Sequence, residues 1–494
     1  PSSEPEPTPG PRAEQSWLEA STPMAERPID LPADVVRQAV HYAGGYLEFQ
    51  QRYRRVPGVQ AAVLHRDELV LSAAWGHADL ESGTTLTTGH LFRIASHSKT
   101  FTATAILQLV AANRLRLDDP AGMHLTALAD AGSPLARVTV RELLSHAAGI
   151  TRDSPDGDFW QLMRPFPDRD GLLAMLLDSG AAVLPANERF KYSNIGYGLL
   201  GLIIEAVTGR SYAEHLRDAV IAPLGLTDLG PELDPGRGSD YATGYSSHAY
   251  AEHRVAIDHV DTAALASATG FYATASDLVR YFAAHFTGDH RLLSDEGKRL
   301  MRQALWETGG SKDRRYGLGL SISPVGDRRM VGHGGGYPGH ITASLVDPDA
   351  RLAVSVLTNA IDGPADPLAR AVVRLIDLAV DGPGTGDEGL RRFTGRFAGL
   401  WGVTDVALLG GRLYLLDPTQ PDPTEDRTPL EPAGDDTLRI AGGPGYGSYG
   451  ESVRYRFAGD GCITSIRADS GATLVPLREW TLPERFTVPV SSPH

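Results

Sequence analysis

Two residue types that can share a proton, a serine and a lysine, stand three positions apart as Ser96 and Lys99. A serine hydroxyl attacks a carbonyl group efficiently only when a nearby base takes its proton. Lysine can be that base, because burial shifts its pKa readily, whereas the guanidinium of arginine stays protonated. Of the 46 lysines and arginines in the chain, only four are lysines, namely Lys99, Lys191, Lys298 and Lys312. Lys99 is therefore a candidate base, and Ser96 a candidate nucleophile for acyl transfer.

The segment that follows Ser96 is expected to hold the two side chains together. Residues 100 to 112 are rich in alanine and leucine and contain no glycine or proline, which predicts a buried helix opening at Ser96. Residues three apart on a helix share a face, so the hydroxyl and the amine would be within reach of each other. The helix N-terminus would add N–H groups suited to an oxyanion. The spacing alone is a weak signal, since chance supplies it in about a quarter of such chains.

A second polar segment precedes another apolar helix pattern. Tyr192 and Asn194 flank Ser193, and this spacing points both side chains in similar directions if the segment is extended. Acyl transfer also needs a group that protonates the leaving group and one that orients the substrate, and these residues are candidates for those roles. The alternative is that Ser193 or Asn194 only caps the N-terminus of the helix.

A third segment, residues 331 to 340, places His333 directly before three glycines. Glycine lets a backbone approach a ligand closely and donate N–H groups where a Cβ atom would clash. A plain glycine turn is one alternative. Another is the His-Gly-Gly-Gly oxyanion segment of α/β-hydrolases, but that segment requires a G-x-S-x-G elbow, which the sequence lacks. We expect no metal, because His333 and His340 have no third ligand at a recognisable spacing, and we expect no cofactor.

Composition excludes several classes of partner. A formal net charge of −15 argues against binding to nucleic acid or to anionic membrane surfaces, since both require a cationic face. No stretch of 18 uninterrupted apolar residues occurs, so no membrane span is expected. The one cysteine, Cys462, excludes an intrachain disulfide and fits a reducing compartment. We expect a cytoplasmic protein, or an extracytoplasmic one if a signal peptide precedes Pro1.

Local composition and hydrophobic patterns divide the 494 residues into an arm, two domains and a linker. Residues 1 to 30 are a proline-rich, extended arm. Residues 31 to 380 begin with a β-hairpin pattern, continue with helical patterns to about residue 310 and return to strands before a last helix. Residues 381 to 389 are a glycine-rich linker. Residues 390 to 494 alternate short strands and turns, which predicts an antiparallel, barrel-like β-domain whose strand edges favour a homo-oligomer.

Together, the three polar segments resemble the serine β-lactamase and penicillin-binding-protein-like family, on its class C, D-aminopeptidase and CubicO-type esterase side. That family orders its motifs as Ser-x-x-Lys, Tyr-x-Asn and either Lys-Thr-Gly or His-x-Gly. They stand here in that order, as Ser96/Lys99, Tyr192/Asn194 and the triplet from His333 to Gly335. The resemblance covers roughly residues 35 to 380, and the joint match is specific. The last domain is similar to the lipocalin-like domain that some members carry.

The resemblance implies a fold and a set of site residues. The fold would be an α/β (α+β) β-lactamase/transpeptidase-like domain, with an antiparallel sheet flanked by helices and an all-helical region, followed by the all-β domain. Ser96 would form an acyl-enzyme, Lys99 would accept its proton, and Tyr192 would pass a proton to the leaving group. Asn194 would hold a substrate amide, and the substrate would also lie along His333, Gly335 and Gly336. The N–H groups of Ser96 and Gly336 would form the oxyanion hole.

One departure from the family bears on the substrate. Where β-lactamases carry a lysine that binds the substrate carboxylate, this sequence has His333, so carboxylate recognition is expected to be weaker. We therefore expect a serine hydrolase that cleaves D-amino-acid peptides, D-amino-acid amides or esters, taking small molecules or short peptides. An acyltransferase or a macrocyclising thioesterase of natural-product type is the alternative, because the same acyl-enzyme serves both. A second alternative is a binding or sensor module that acylates and stops.

Overall fold

The computed structural model describes residues 30–310, 313–443, 447–468 and 471–487. The proline-rich arm predicted for residues 1 to 30 lies outside this part of the chain, except for its last residue. Within the described residues the chain forms a mixed helix-and-sheet unit followed by a barrel of antiparallel strands. The fold class expected from the sequence is therefore confirmed.

Ten of the twelve α-helices of the described residues lie between residues 98 and 301. The α-helices of the described residues are α1 (Ala33–Tyr53), α2 (Ser98–Ala111), α3 (Ala121–His124), α4 (Thr126–Asp130), α5 (Val140–Leu144), α6 (Arg169–Leu177), α7 (Asn194–Thr208), α8 (Tyr212–Leu216), α9 (Ala266–Thr269), α10 (Ala275–Ala283), α11 (Asp295–Met301) and α12 (Ala365–Val380). None of these helices is both long enough and apolar enough to cross a membrane.

The first fourteen strands belong to the mixed unit. They are β1 (Gly58–His65), β2 (Glu68–Asp79), β3 (Thr84–Thr85), β4 (Phe92–Arg93), β5 (Leu229–Gly230), β6 (Gly244–Tyr245), β7 (Ala256–Ile257), β8 (Tyr272–Ala273), β9 (Trp306–Glu307), β10 (Arg315–Tyr316), β11 (Ser321–Val325), β12 (Arg328–Tyr337), β13 (His340–Asp347) and β14 (Leu352–Thr358). The main sheet has the order β3-β2-β1-β14-β13-β12-β11-β10-β9 and pairs strands from both ends of the domain. Its β1–β2 hairpin is the one predicted near the start of this domain from two apolar runs on either side of a polar turn.

Helices cover both faces of the main sheet. The apolar sides of α1 and α12 pack on one face, where Val36, Leu47, Val356 and Val372 belong to one buried cluster. A second and larger cluster joins the opposite face to α2, α7 and α10. Because both faces are covered, β1 and β14 are buried along their whole length, which explains their nearly continuous apolar sequences.

The last domain is a closed barrel of eight antiparallel strands. The strands are β15 (Gly395–Gly399), β16 (Gly402–Leu409), β17 (Arg412–Leu416), β18 (Thr428–Gly434), β19 (Thr437–Ile440), β20 (Ser452–Phe457), β21 (Ile463–Arg467) and β22 (Thr473–Pro476). Pairing of β15 with β22 closes the barrel. Its interior holds a cluster of buried side chains that includes Phe397, Leu438 and Tyr455. Closure pairs the strand edges, so the edge argument for a homo-oligomer no longer applies to the barrel, and oligomerisation stays a prediction.

The barrel docks on the helical layer formed by α1 and α12. Leu409 and Tyr414 of the barrel join the same buried cluster as these two helices. Polar contacts fix the arrangement: the Tyr42 hydroxyl donates to Asp405 over 2.8 Å. Arg396, which donates to both oxygens of that carboxylate over 2.7 and 2.8 Å, also donates to the Gly45 carbonyl of α1 over 3.2 Å. The barrel therefore lies on the side of the main sheet opposite to α2.

Candidate active site

Ser96 sits in a tight turn immediately before α2. The turn is a 3-10 helix over Ala95–His97, and the α-helix begins only at Ser98, two residues later than the sequence predicts. Ala95 has φ = 47°, a left-handed conformation that costs energy for a residue with a side chain. The Ser98 hydroxyl stabilises the turn, since it donates to the Ala95 carbonyl over 2.6 Å and accepts the Phe271 N–H over 3.0 Å. Ser96 itself is only partly buried, so a substrate can reach it.

Lys99 and Tyr192 both contact the Ser96 hydroxyl. The Ser96 Oγ atom lies 3.2 Å from Lys99 Nζ and 2.9 Å from the Tyr192 hydroxyl, which donates to it. Lys99 Nζ also lies over the Tyr192 ring, 4.8 Å from its centre. Residues from two distant parts of the chain thus meet at one hydroxyl, as the two sequence motifs predict.

Burial sets the charge states of these two side chains. Lys99 is fully buried, and desolvation lowers the pKa of its amine well below the ordinary value, with a smaller opposing effect from Asp153. Burial likewise raises the pKa of Tyr192, so its phenol stays protonated near neutral pH. A lysine whose ammonium form is destabilised can serve as a base, and a protonated phenol can donate a proton to an oxygen.

The neighbours of Lys99 orient its amine. Nζ donates to the Asn194 Oδ1 atom over 2.8 Å and to the Ala268 carbonyl over 2.9 Å. A neutral amine has two N–H groups and one lone pair, and these two oxygens accept both N–H groups. The remaining direction is that of Ser96 Oγ. The arrangement therefore presents the lone pair of a neutral Lys99 to the serine hydroxyl.

Asn194 lies at the first position of α7, with its side chain held at both ends. Its Oδ1 atom accepts from Lys99, and its Nδ2 atom donates to Asp153 Oδ1 over 2.6 Å. The cap of the helix is Ser193, whose hydroxyl accepts the Gly196 N–H over 2.9 Å. The capping alternative is thus correct for Ser193. Asn194 contacts the base, and its contact with a substrate amide stays a prediction.

His333 lies on β12 beside the site and is buried. Burial lowers the pKa of His333 to about 3. One ring nitrogen, Nδ1, lies 2.6 Å from the Gly334 carbonyl, and Nε2 lies 3.0 Å from the Tyr316 hydroxyl. A neutral imidazole that donates from Nδ1 and accepts at Nε2 satisfies both contacts. His333 is therefore uncharged near neutral pH and cannot replace a lysine as a cationic anchor.

The glycines of β12 let the strand pass close to the Ser96 turn. A Cβ atom on Gly335 would lie 2.1 Å from the Ile94 carbonyl oxygen and 2.4 Å from Thr342 Oγ1, so no other residue fits. Gly335 is buried, whereas Gly336 is exposed. Strand β11 pairs with β12 only as far as Gly332, which leaves the following residues open on that edge. Gly335 thus sets the distance between strand and nucleophile, and the part of Gly336 in an oxyanion hole stays a prediction.

Several residues of the site lie outside the three sequence motifs. Asp153 holds Asn194 but lies 41 residues before it, with no motif to connect them. The Ala268 group that binds Lys99 is a backbone carbonyl, which no side-chain pattern reveals. His146 also lies at the site, although it belongs to none of the three motifs. Its ring is centred 4.2 Å from that of Tyr192, and its Nδ1 atom accepts the Ser193 N–H over 3.2 Å.

Two curated bacterial proteins are similar to this chain. A penicillin-binding protein of Bacillus subtilis is 30% identical over 308 residues, which is 59% of this chain and 66% of that protein. A D-aminopeptidase of Brucella anthropi is 27% identical over 321 residues, which is 63% of this chain and 57% of that protein. The chain thus spans less than two thirds of the length of either relative.

A solved structure is similar over nearly the whole chain, and a family model matches its first domain. The crystal structure of SurE with D-Leu has a TM-score of 0.56 and 26% identity, covering 89% of this chain and 99% of that chain. The family model described as Beta-lactamase matches residues 35–378, a range that contains every side chain of the site. Because that match extends over more than half of the sequence, the chain belongs to the β-lactamase family.

Proposed function

We propose that the protein is a serine hydrolase that cleaves amide or ester bonds of small substrates through an acyl-enzyme on Ser96. One observation carries the proposal: an accessible serine hydroxyl lies 3.2 Å from a buried lysine amine and 2.9 Å from a buried tyrosine hydroxyl. Nucleophile, base and proton donor are thus within hydrogen-bonding distance before a substrate binds. Membership of the β-lactamase family supports the same reading.

The reaction would run in two steps, acylation and deacylation, and in each step Lys99 would first accept a proton and then return it. In acylation, Ser96 Oγ forms a bond to the substrate carbonyl carbon while its proton passes to the neutral Lys99 amine. The bond to the leaving group then breaks, and the leaving group takes a proton from the Tyr192 hydroxyl, which Lys99 reprotonates. In deacylation, water forms a bond to the ester carbonyl carbon while one of its protons passes to the neutral Lys99 amine. The bond to Ser96 Oγ then breaks and Oγ takes that proton, which restores the serine hydroxyl and the neutral amine.

The substrate class that we favour is D-amino-acid amides and peptides, or esters. The neutral state of His333 supports this choice, because a substrate carboxylate would find no cationic partner at that position. The similarity to a D-aminopeptidase and to a structure solved with D-Leu supports the preference for D-residues. Penicillins and substrates ending in D-Ala-D-Ala carry a carboxylate and are expected to react more slowly.

Steady-state kinetics on three substrate types tests the proposal. We expect D-alanine p-nitroanilide and p-nitrophenyl acetate to be cleaved with kcat/KM at least tenfold above that for benzylpenicillin. Activity on all three should disappear in Ser96→Ala. Faster cleavage of benzylpenicillin would contradict the substrate assignment, and activity that survives in Ser96→Ala would contradict the mechanism. L-Alanine p-nitroanilide is the control for the preference for D-residues.

A further inference from the structure

A partly buried chain of hydrogen bonds runs from the candidate base to a carboxylate at the edge of the site. Lys99 Nζ donates to Asn194 Oδ1 over 2.8 Å, and Asn194 Nδ2 donates to Asp153 Oδ1 over 2.6 Å. Asp153 neither touches Ser96 nor lies within hydrogen-bonding distance of Lys99. Its effect on the reaction must therefore pass through the Asn194 amide or through its charge.

The orientation of the Asn194 amide decides where the lone pair of Lys99 points. In the observed orientation the amide oxygen accepts one N–H of Lys99 while the Ala268 carbonyl accepts the other. With the amide turned over, its NH₂ group would face Lys99 and compete with the Ser96 hydroxyl for the lone pair. A carboxylate accepts hydrogen bonds but cannot donate them, so Asp153 tolerates only the NH₂ group of Asn194 on its side.

We propose that Asp153 is a positioning residue, which fixes the Asn194 amide in one orientation and thereby directs the lone pair of Lys99 at Ser96. This inference rests on the proposed function, in which Lys99 is the base for Ser96. It assigns to Asp153 a part in the reaction that neither the motifs nor the comparisons indicate.

Asp153 is itself held in place by its surroundings. Trp160 Nε1 donates to the same Oδ1 atom over 2.9 Å, and Arg152 Nε donates to Oδ2 over 3.1 Å. The backbone next to Asp153 is hydrogen-bonded to the start of α7, since the Arg152 carbonyl accepts the Asn194 N–H over 2.8 Å. Only 14% of the Asp153 side chain is exposed. The carboxylate is therefore fixed relative to the amide that it orients.

The carboxylate also acts on Lys99 through its charge. Asp153 raises the pKa of Lys99 and opposes the larger effect of burial, while Arg152 lowers it. The other titratable groups facing Lys99 are His146, His333, Tyr192 and Tyr197, of which the two histidines have pKa values lowered by burial and the two tyrosines have pKa values raised by it. These four groups are uncharged near neutral pH, which leaves Asp153 as the negative charge acting on the amine.

Replacement of the carboxylate by an isosteric amide tests both effects. The measurement is the rate of the p-nitrophenol burst with p-nitrophenyl acetate, followed against pH, because this leaving group departs without a proton from the enzyme. In Asp153→Asn we expect the high-pH plateau to fall about tenfold or more, since the amide of residue 153 accepts either orientation of Asn194. The acidic limb should move to lower pH by about 0.5 to 2 units, as expected for loss of a nearby negative charge that raises the pKa of Lys99.

Variants that separate charge, geometry and folding make the result decisive. Asp153→Glu keeps a negative acceptor and should hold the acidic limb at the wild-type pH, with a plateau at least threefold above that of Asp153→Asn. Asp158→Asn removes a charge from an exposed position of the same loop and should change neither quantity. If Asp153→Asn does not fold, Asp153→Ser removes the same charge and takes its place.

Three results would contradict the proposal. An acidic limb that stays at the wild-type pH in Asp153→Asn would overturn the proposal, as would a plateau within twofold of wild type or an equal loss in Asp153→Glu. Intact-mass analysis after fluorophosphonate treatment separates this failure from that of the proposed function. If the wild type takes up no label at Ser96, the proposed function fails. If the wild type is labelled but Asp153→Asn acylates like it, only the part assigned to Asp153 fails.

Discussion

At the scale of single residues, the site depends on a lysine that must lose its proton in a buried position. The side chain is fully buried, its pKa is lowered by desolvation, and it faces two carbonyl oxygens and one hydroxyl. An arginine would keep both the positive charge and the hydrogen-bonding capacity, yet it could not accept a proton. The pKa of the side chain, rather than its charge, is the property that acylation requires.

Lys99→Arg should therefore abolish acylation even if the protein folds. We expect the p-nitrophenol burst rate to fall by at least about 10³-fold, in line with the loss of a general base. The matched control is Lys298→Arg, a second buried lysine that donates to the Phe286 carbonyl over 2.6 Å in another part of the domain. That variant should keep the burst rate within a few-fold of wild type. A Lys99→Arg enzyme within tenfold of wild type would remove Lys99 from the mechanism.

His97, directly after the nucleophile, links the stability of this region to pH. It is fully buried between the Ile94 carbonyl and Ser344, and burial lowers its pKa to about 4. Its unfolded value is about 6.5, so between pH 6.5 and 4 the unfolded chain binds a proton that the folded chain does not. The free energy of unfolding should thus decrease as the pH is lowered from 6.5 to 4, by about 3 kcal/mol from His97 alone.

Chemical denaturation of His97→Gln at several pH values checks this linkage. The loss of stability between pH 6.5 and 4 should be smaller in the variant than in the wild type, because one buried site no longer titrates. His253→Gln, at an exposed position, should leave the dependence unchanged. Parallel curves for wild type and His97→Gln would show that His97 does not remain neutral in the folded protein.

Motif spacing predicted the side chains that touch one another at the nucleophile, but not those that act through a second group. Ser96, Lys99, Tyr192 and Asn194 all belong to short patterns, and the structure brings them together. Asp153 is bound to its partner across a long sequence separation, so nothing in the local sequence marks it. Backbone groups such as the Ala268 carbonyl are likewise invisible to an analysis of residue types.

At the scale of elements, the site requires that β12 pass very close to the turn before α2. Gly335 makes this approach feasible, because any side chain there would collide with the Ile94 carbonyl oxygen. Gly334 and Gly336 are under no such constraint, because the nearest atom to a Cβ lies 3.5 Å away at Gly334 and 3.7 Å away at Gly336. Of the three consecutive glycines, only Gly335 must be a glycine for steric reasons.

Gly335→Ala and Gly334→Ala should accordingly differ sharply. In Gly335→Ala the strand must shift away from the turn, which should cost about 2 kcal/mol of stability and about 10²-fold in acylation rate. In Gly334→Ala both quantities should stay near the wild type, because its added methyl group meets only an ordinary contact. Thermal unfolding and the burst rate measure the two effects. Equal behaviour of the two variants would contradict the close approach of strand and turn.

Local sequence patterns predicted some elements of the fold but not others. Two apolar runs separated by a polar turn predicted the β1–β2 hairpin. A stretch rich in alanine and leucine, without glycine or proline, predicted the helix α2. The 3-10 turn over Ala95–His97 was missed, because the φ angle of Ala95 is imposed by tertiary contacts rather than by its residue type. The same holds for the strand edge left open beside Gly336, which depends on where β11 stops.

At the scale of the whole molecule, the barrel is anchored to the helical layer on the far side of the main sheet from Ser96. The anchor includes the Asp405 carboxylate, whose side chain is 3% exposed and which is bound by Arg396 and Tyr42. Removing one partner of a buried ion pair leaves the other charge uncompensated. The barrel should thus affect stability more than chemistry.

Asp405→Ala separates these two effects. We expect a loss of about 3 to 5 kcal/mol in the free energy of unfolding, since Arg396 loses its partner. The kcat for p-nitrophenyl acetate should stay within twofold of wild type at temperatures where the variant is folded. Asp435→Ala, at an exposed position of the barrel, is the control. A fall in kcat without a fall in stability would mean that the barrel contributes to the site.

The change from helical patterns to short alternating strands predicted a mixed unit followed by a β-domain. It did not predict how the two pack against each other. The closure of the barrel depends on pairing β15 with β22, which are separated by most of the domain. Its docking depends on polar groups of α1, such as Tyr42, that a helical pattern treats as surface residues. Contacts of this kind are set by three-dimensional packing and have no period along the chain.

The central claim is that Ser96 forms the acyl-enzyme, and intact-mass analysis after treatment with a fluorophosphonate tests it most directly. The wild-type chain should gain the mass of one phosphonyl group, located by peptide mapping to Ser96, and Ser96→Ala should gain none. Ser98→Ala, which changes a serine in the same turn, should still be labelled, although more slowly if the turn relaxes. Labelling that persists in Ser96→Ala at the wild-type rate would contradict the account.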